Sequence, residues 1–359
     1  MRIVLQGSLI VALATLVRVP SARMRASATE LPAVQASLAH DVTVAGHGEA
    51  SAAESPRTEA VVVVVLDGAR WQEVLVATDA NFARGDDRGV AATTIMPTLH
   101  AMIQDGAVVG APDHGPPMVA TGPHFISLPG YNEIFSGKSP RACFDNECPE
   151  TRTPTLVDEL RARSSDVAVF SSWGPIARAA SLPSADIVRS TGGAGTGEFR
   201  ADRATADEAL AYYSERRPTF MFLGLGEPDE YAHRGDYAGY IDSLRQADTI
   251  LGELRDVLGQ MGERGRHTSV IVTCDHGRSD DFRDHGGPWP ESARVWMVAS
   301  GGAIPRLGYV DSIRKHRLAD IAPTVRVLLG LPADEAGESL GVGAPIDELV
   351  SPRLLPSPR

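Results

Sequence analysis

From residue 60 onward, short apolar runs alternate with stretches in which apolar positions recur every three or four residues. The runs VVVVVL (61–66), DVAVFSS (166–172), FMFLGL (220–225), SVIVTC (269–274) and RVWMVASG (294–301) predict buried strands, with SADIVRS (184–190) as a further candidate. Helical spacing marks IMPTLHAMIQ (95–104), TPTLVDELRAR (153–163), ATADEALAYYSERR (204–217), YAGYIDSLRQADTILGELRDVLGQM (237–261) and LADIAPTVRVLLGL (318–331), and WQEVLVA (71–77) reads as the start of a helix or a turn over the site. Strands alternating with helices predict an α/β fold: a three-layer αβα sandwich with a mainly parallel sheet and helices on both faces.

The pattern also divides the chain. MRIVLQGSLIVALATLV has a basic start, an apolar run and small-residue sites at 20–22 and 26–28, so residues 1–28 read as a cleaved secretory signal that leaves no stable membrane anchor. Residues 29–58 carry no sustained periodicity and read as a flexible lead. Residues 59–345 then form one domain, and 346–359 form a frayed, proline-rich tail. The glycine-rich TGGAGTGEF (191–199) lacks the Lys-Ser/Thr ending of a phosphate-binding loop and reads as a flexible connection.

With 359 residues and 43% hydrophobic content the chain can bury a large core, while its formal charge of -12 argues against nucleic acid or an anionic membrane as partner. A small-molecule anion can still bind where metals reverse the sign. Cys143 and Cys148 bracket the short segment FDNE, and in an exported protein, periplasmic or extracellular, they would pair. Cys274 is expected to stay buried in its strand.

Three apolar runs end in metal-ligating residue types. Asp67 follows the first valine run, Asp229 and His233 follow FMFLGL, and Asp275, His276 and His285 follow SVIVTC. Carboxylate oxygen and neutral imidazole suit zinc, with manganese or magnesium as alternatives. A helical turn beginning near Asp229 would place Asp229 and His233 on one face. Six ligands suffice for two divalent ions. In HFISLPGYNEIFSG (124–137) a short apolar strand is expected to lead into Ser127, just before a helix whose N-terminus favours an anion. Beside metals, Ser127 becomes a candidate nucleophile as well as a metal ligand.

These motifs resemble the alkaline phosphatase superfamily, across most of residues 60–332. The resemblance implies one metal held by Asp67, Ser127, Asp275 and His276, and another by Asp229, His233 and His285. The Ser127 segment is similar to that of nucleotide pyrophosphatase/phosphodiesterases, which implies a role for Asn146 in holding a phosphoryl oxygen. Ser127 itself departs from the threonine usual there, and the close spacing of His285 to His276 is more like that of phosphomutases. No formylglycine-type motif surrounds Ser127, which disfavours a type I sulfatase.

The resemblance thus implies an exported two-metal hydrolase of phosphoric esters acting through a phospho-serine. Phosphodiester or nucleotide pyrophosphate substrates rank first, with phosphomonoesters next. Sulfate or phosphonate ester hydrolysis, phosphomutase-like transfer and a non-catalytic binding protein follow. Asp284 is a candidate for orienting His285.

Overall fold

The computed structural model describes residues 58–192, 199–333 and 341–350. The expected signal, most of the lead, the centre of the glycine-rich connection and the end of the tail lie outside these residues.

Among the described residues the strands are β1 (Ala60–Leu66), β2 (Gly106–Val109), β3 (Met118–Val119), β4 (Val167–Ser171), β5 (Val188–Thr191), β6 (Phe220–Leu225), β7 (Thr268–Thr273), β8 (Arg294–Val295), β9 (Met297–Gly301) and β10 (Gly308–Tyr309). One sheet takes the order β10-β2-β9-β7-β1-β6-β4-β5, and β3 pairs with β8 as a separate antiparallel ribbon. β1 lies between β7 and β6 in parallel register, with Val63 beside both Ile271 and Phe222. Every residue of β1, β4, β6 and β7 is buried, as expected where helices cover both faces of a sheet.

The helices fall into two packed groups, giving the three-layer α/β architecture. Tyr237–Gln260 packs against Pro97–Gln104 and Asp202–Arg216, and Ser127–Ser136 packs against Leu156–Ala162, Ile176–Ala180 and Ile321–Leu328. The amphipathic pattern of 237–260 buries Tyr240, Ile241, Leu244, Ala247, Leu251 and Leu254 along one stripe.

Several expectations need correction. No strand leads directly into Ser127: Ile126 is extended, but no neighbouring strand pairs with it. RVWMVASG breaks at Trp296, whose indole N–H donates to the Ala69 carbonyl at 2.9 Å, and its second half, β9, is antiparallel to both neighbours. The segment GAVV after the helix stop at Asp105-Gly106 forms β2, which has no expected counterpart. The chain also stays packed past residue 345. Ile346, Leu349 and Val350 are buried, and the Ile346 N–H donates to Thr324 Oγ1 at 2.9 Å, which ties the segment entering the 3-10 turn Asp347–Leu349 to the helix Ile321–Leu328.

Candidate metal centre and catalytic pocket

The adjacent strands β7, β1 and β6 all run in one direction, so their carboxyl ends open at one edge of the sheet. Asp67 follows β1 directly. Asp275 and His276 come just after β7, and β6 leads into the short helix Glu227–His233 that carries Asp229 and His233. Open α/β sheets gather reactive groups at such edges, because loops there can converge without disturbing the ladder.

The six acidic and imidazole side chains form two groups: Asp67, Asp275 and His276, all buried, and Asp229, His233 and His285, more open to solvent. In the first group, His276 Nε2 lies 3.4 Å from Asp67 Oδ1 and 3.5 Å from Asp275 Oδ2. His276 Nδ1 faces the Gly277 carbonyl at 2.8 Å, which places the ring proton on Nδ1 and leaves Nε2 with a lone pair. The Tyr131 hydroxyl donates to Asp67 Oδ2 at 2.9 Å and the Gly68 N–H to Asp275 Oδ1 at 3.1 Å. Asp275 Oδ2 is buried without a hydrogen-bond partner. An orphaned carboxylate oxygen beside an imidazole lone pair fits a cation.

In the second group, His233 Nε2 lies 3.1 Å from Asp229 Oδ2 and 3.0 Å from His285 Nε2. His285 Nδ1 faces the Phe125 carbonyl at 3.3 Å, so its Nε2 is likewise the unprotonated nitrogen. The two groups touch through the stacked rings of His276 and His285, whose centroids are 3.9 Å apart.

Ser127 is the first residue of its helix. Its Oγ lies 3.2 Å from His276 Nε2 and 3.4 Å from Asp67 Oδ1. Asn146, in the loop closed by the Cys143–Cys148 disulfide, accepts the Leu128 N–H through Oδ1 at 3.0 Å. A backbone N–H can only donate, so the amide nitrogen of Asn146 is left to face elsewhere as a donor. Asp67, Ser127, Asn146, Asp229 and His233 line a cavity of about 170 Å³, walled by Trp173 and Phe199.

Burial, then the nearby Asp229 charge, push the Asp67 carboxyl well above the usual carboxylate range. Burial, then Asp67, do the same to Asp275. Burial works to raise Asp229 as well, but the Arg278 guanidinium and the His233 hydrogen bond hold it well below that range. Burial pushes His276 down to about 4, and burial with the neighbouring His276 pushes His285 down to about 2. In the first group, a neutral imidazole beside two carboxylates that resist carrying charge unaided forms a set that a divalent cation would stabilise.

A sequence model of the metalloenzyme superfamily matches residues 59–333. The chain belongs to that superfamily. Within this metalloenzyme superfamily the chain is similar to a 2,3-bisphosphoglycerate-independent phosphoglycerate mutase of Prochlorococcus marinus subsp. pastoris. The two are 29% identical over 131 residues, which make up 34% of this chain and 23% of the mutase. The chain thus spans about a quarter of the length of the curated relatives it matches.

Its fold is similar to that of a phosphonate monoester hydrolase of Agrobacterium radiobacter, at TM-score 0.56 and 16% identity, covering 84% of this chain and 79% of that one. It is also similar to a 2-O GAG sulfatase, at TM-score 0.56 and 15% identity, covering 82% of this chain and 76% of that one. The resemblance to the alkaline phosphatase superfamily therefore holds at the level of the superfamily and its α/β fold.

Sequence reasoning missed several residues that support the centre. Buried Arg278 pairs with Asp229, Tyr131 with Asp67, and Asp202 accepts the Gly226 and Glu227 N–H groups at 2.8 and 3.0 Å, capping the helix that carries Asp229 and His233. Asp284 does not orient His285: its backbone meets Ser279 and Asp281, and the Phe125 carbonyl takes the His285 contact instead. Lys138 and Arg141 line a different cavity, of about 620 Å³, together with Cys143 of the disulfide loop.

Proposed function

We propose that the chain is an exported hydrolase of phosphoric esters that works through a phospho-serine at Ser127, with phosphodiesters or nucleotide pyrophosphates as favoured substrates. The carrying observation is the Ser127 hydroxyl, within 3.4 Å of both Asp67 and His276, on the wall of a cavity that also exposes Asp229 and His233. Asp67, Asp275 and His276 would hold one divalent metal together with Ser127, and Asp229, His233 and His285 the other. Zinc suits the Asp/His donor set. Bound there, the metals would supply Lewis acidity that acidifies the serine hydroxyl and stabilises a leaving oxygen.

The chain's own groups do the rest. Ser127 Oγ forms a bond to phosphorus as the bond to the leaving oxygen breaks, and water then cleaves the Oγ–P bond to return free serine and the phosphate product. The Asn146 amide donates to a non-bridging oxygen, a contribution of roughly 3 kcal/mol where the alignment is good. No Lys or Arg stands among the described residues lining the cavity, which supports a singly charged diester over a doubly charged monoester. Trp173 and Phe199 offer apolar surface to an organic group on the ester. Export is supported by the signal-like start and by the Cys143–Cys148 disulfide.

A singly charged sulfate ester or phosphonate monoester fits the same absence of cations, and proteins acting on such esters share the fold. The test is hydrolysis of nitrophenyl phosphodiester, phosphomonoester, sulfate and phenylphosphonate substrates by the zinc-loaded protein, beside Ser127→Ala. The proposal expects preference for the diester, with turnover abolished and both metals retained in Ser127→Ala. A dominant sulfatase or phosphonate activity moves the assignment to that class, and undiminished turnover in Ser127→Ala removes the nucleophile.

A further inference from the structure

The two ligand groups differ in charge, and the difference traces to Arg278. Asp67 and Asp275 bring two carboxylates to the first group, whereas Asp229 is the only carboxylate in the second. The buried Arg278 guanidinium lies against Asp229 Oδ1. It is fixed there: its Nε donates to the Phe282 carbonyl at 2.6 Å, a terminal nitrogen donates to the Arg283 carbonyl, and the Phe282 ring lies 6.0 Å away. The fit is close on its other side too. A Cβ added to Gly68, at φ +59°, would stand 2.6 Å from Asp229 Oδ1 and 2.7 Å from Arg278 Nη1.

A divalent cation in the first group is balanced by two carboxylates. In the second, Arg278 already offsets the single carboxylate, so a divalent cation there would keep both its charges. That charge would border the cavity through Asp229 and His233, and no Lys or Arg stands among the cavity's described lining residues. Removing charge compensation has a large effect at short range in a partly buried site.

We infer that Arg278 is a positioning and charge-setting residue, which makes the Asp229, His233 and His285 group the weaker, exchangeable metal site and the electropositive wall that draws an anion into the cavity. The inference rests on the two-metal reading but not on which ester is cleaved.

The test is stepwise removal of zinc from the full-length protein by graded chelator, with retained metal measured by emission spectroscopy and inorganic phosphate binding measured by calorimetry. The wild type is expected to release one equivalent at a chelator concentration at least about tenfold below that needed for the second. His233→Ala should lack only the early step. Arg278→Gln should close the gap to within about threefold and weaken phosphate binding about tenfold or more, while Arg278→Lys should keep both properties.

Release of both equivalents together from the wild type overturns the inference, as does earlier loss of the second-group metal in Arg278→Gln. Binding of fewer than two equivalents overturns the two-metal reading and this inference with it. If Arg278→Gln does not fold, the wild type and His233→Ala still decide: loss of the late step in His233→Ala overturns the assignment.

Discussion

The Tyr131 hydroxyl donates to Asp67 Oδ2 at 2.9 Å, and Tyr131 stands one helical turn beyond Ser127. One helix therefore presents both the candidate nucleophile and the group that holds a candidate metal ligand, while the Tyr131 ring packs edge-on against Phe222 of β6. Tyr131→Phe keeps that packing and removes the hydroxyl. It is expected to weaken zinc binding at the Asp67, Asp275 and His276 group about tenfold, read by chelator competition, with little change in melting temperature. Unchanged metal affinity would reduce Tyr131 to a packing role.

Glu133, on the same helix, is buried and accepts from the Thr121 N–H and hydroxyl and from the Ala319 N–H, tying the loop before Ser127 to the 3-10 turn Leu318–Asp320. Burial raises its carboxyl to about 7, against these hydrogen bonds. A raised pKa means the folded state holds the proton more tightly than the unfolded chain. The Glu133 contribution is therefore fully present below about pH 4.5 and is lost as pH rises toward and through about 7. Relative to Glu133→Gln, the wild type should lose on the order of 3 kcal/mol between pH 4.5 and 8, measured by denaturant unfolding at each pH. Parallel pH profiles for the two proteins would refute this.

Asp202→Ala removes the acceptor for two N–H groups at the start of the Glu227–His233 helix. The expected cost is about 1–3 kcal/mol in unfolding free energy, together with weaker retention of the second-group metal, because Asp229 and His233 ride on that helix. A stability loss with unchanged metal retention would separate the cap from the centre.

Chelation should lower the melting temperature, and by more at pH 8 than at pH 5. Without a cation, Asp67 and Asp275 resist ionising, chiefly through burial, so the metal-free protein loses stability as pH rises through their raised pKa values. Calorimetric scans with and without chelator at both pH values measure the gap. An equal gap at both would show that these carboxylates are not the groups the metal relieves.

The candidate ligand set could be read from local sequence because Asp67, Asp229 and Asp275 each come shortly after an apolar run, and such a run fixes both a buried strand and the place where it ends. Ser127 stood out through the Pro-Gly and helical turns that follow it. The supporting residues carry no comparable local mark. Arg278 meets Asp229 across 49 positions and Tyr131 meets Asp67 across 64, so only the folded chain shows these pairs. Strand direction is equally silent in RVWMVASG: its residues state that it is buried, while its reversed course depends on where the connecting loop returns. In HFIS the apolar residues suggested a strand, yet the Phe125 carbonyl is used by His285 instead of a neighbouring strand.

The disulfide loop that carries Asn146 is covalently closed within a few residues, whereas the candidate metal-ligating groups are spread over three strand ends of one sheet. On the proposed reading, the part of the pocket that would meet the substrate's non-bridging oxygens is therefore a small cassette, separate in the chain from the frame that would hold the ions. In a reducing compartment the same cassette would lose its clasp while the three strand ends kept theirs.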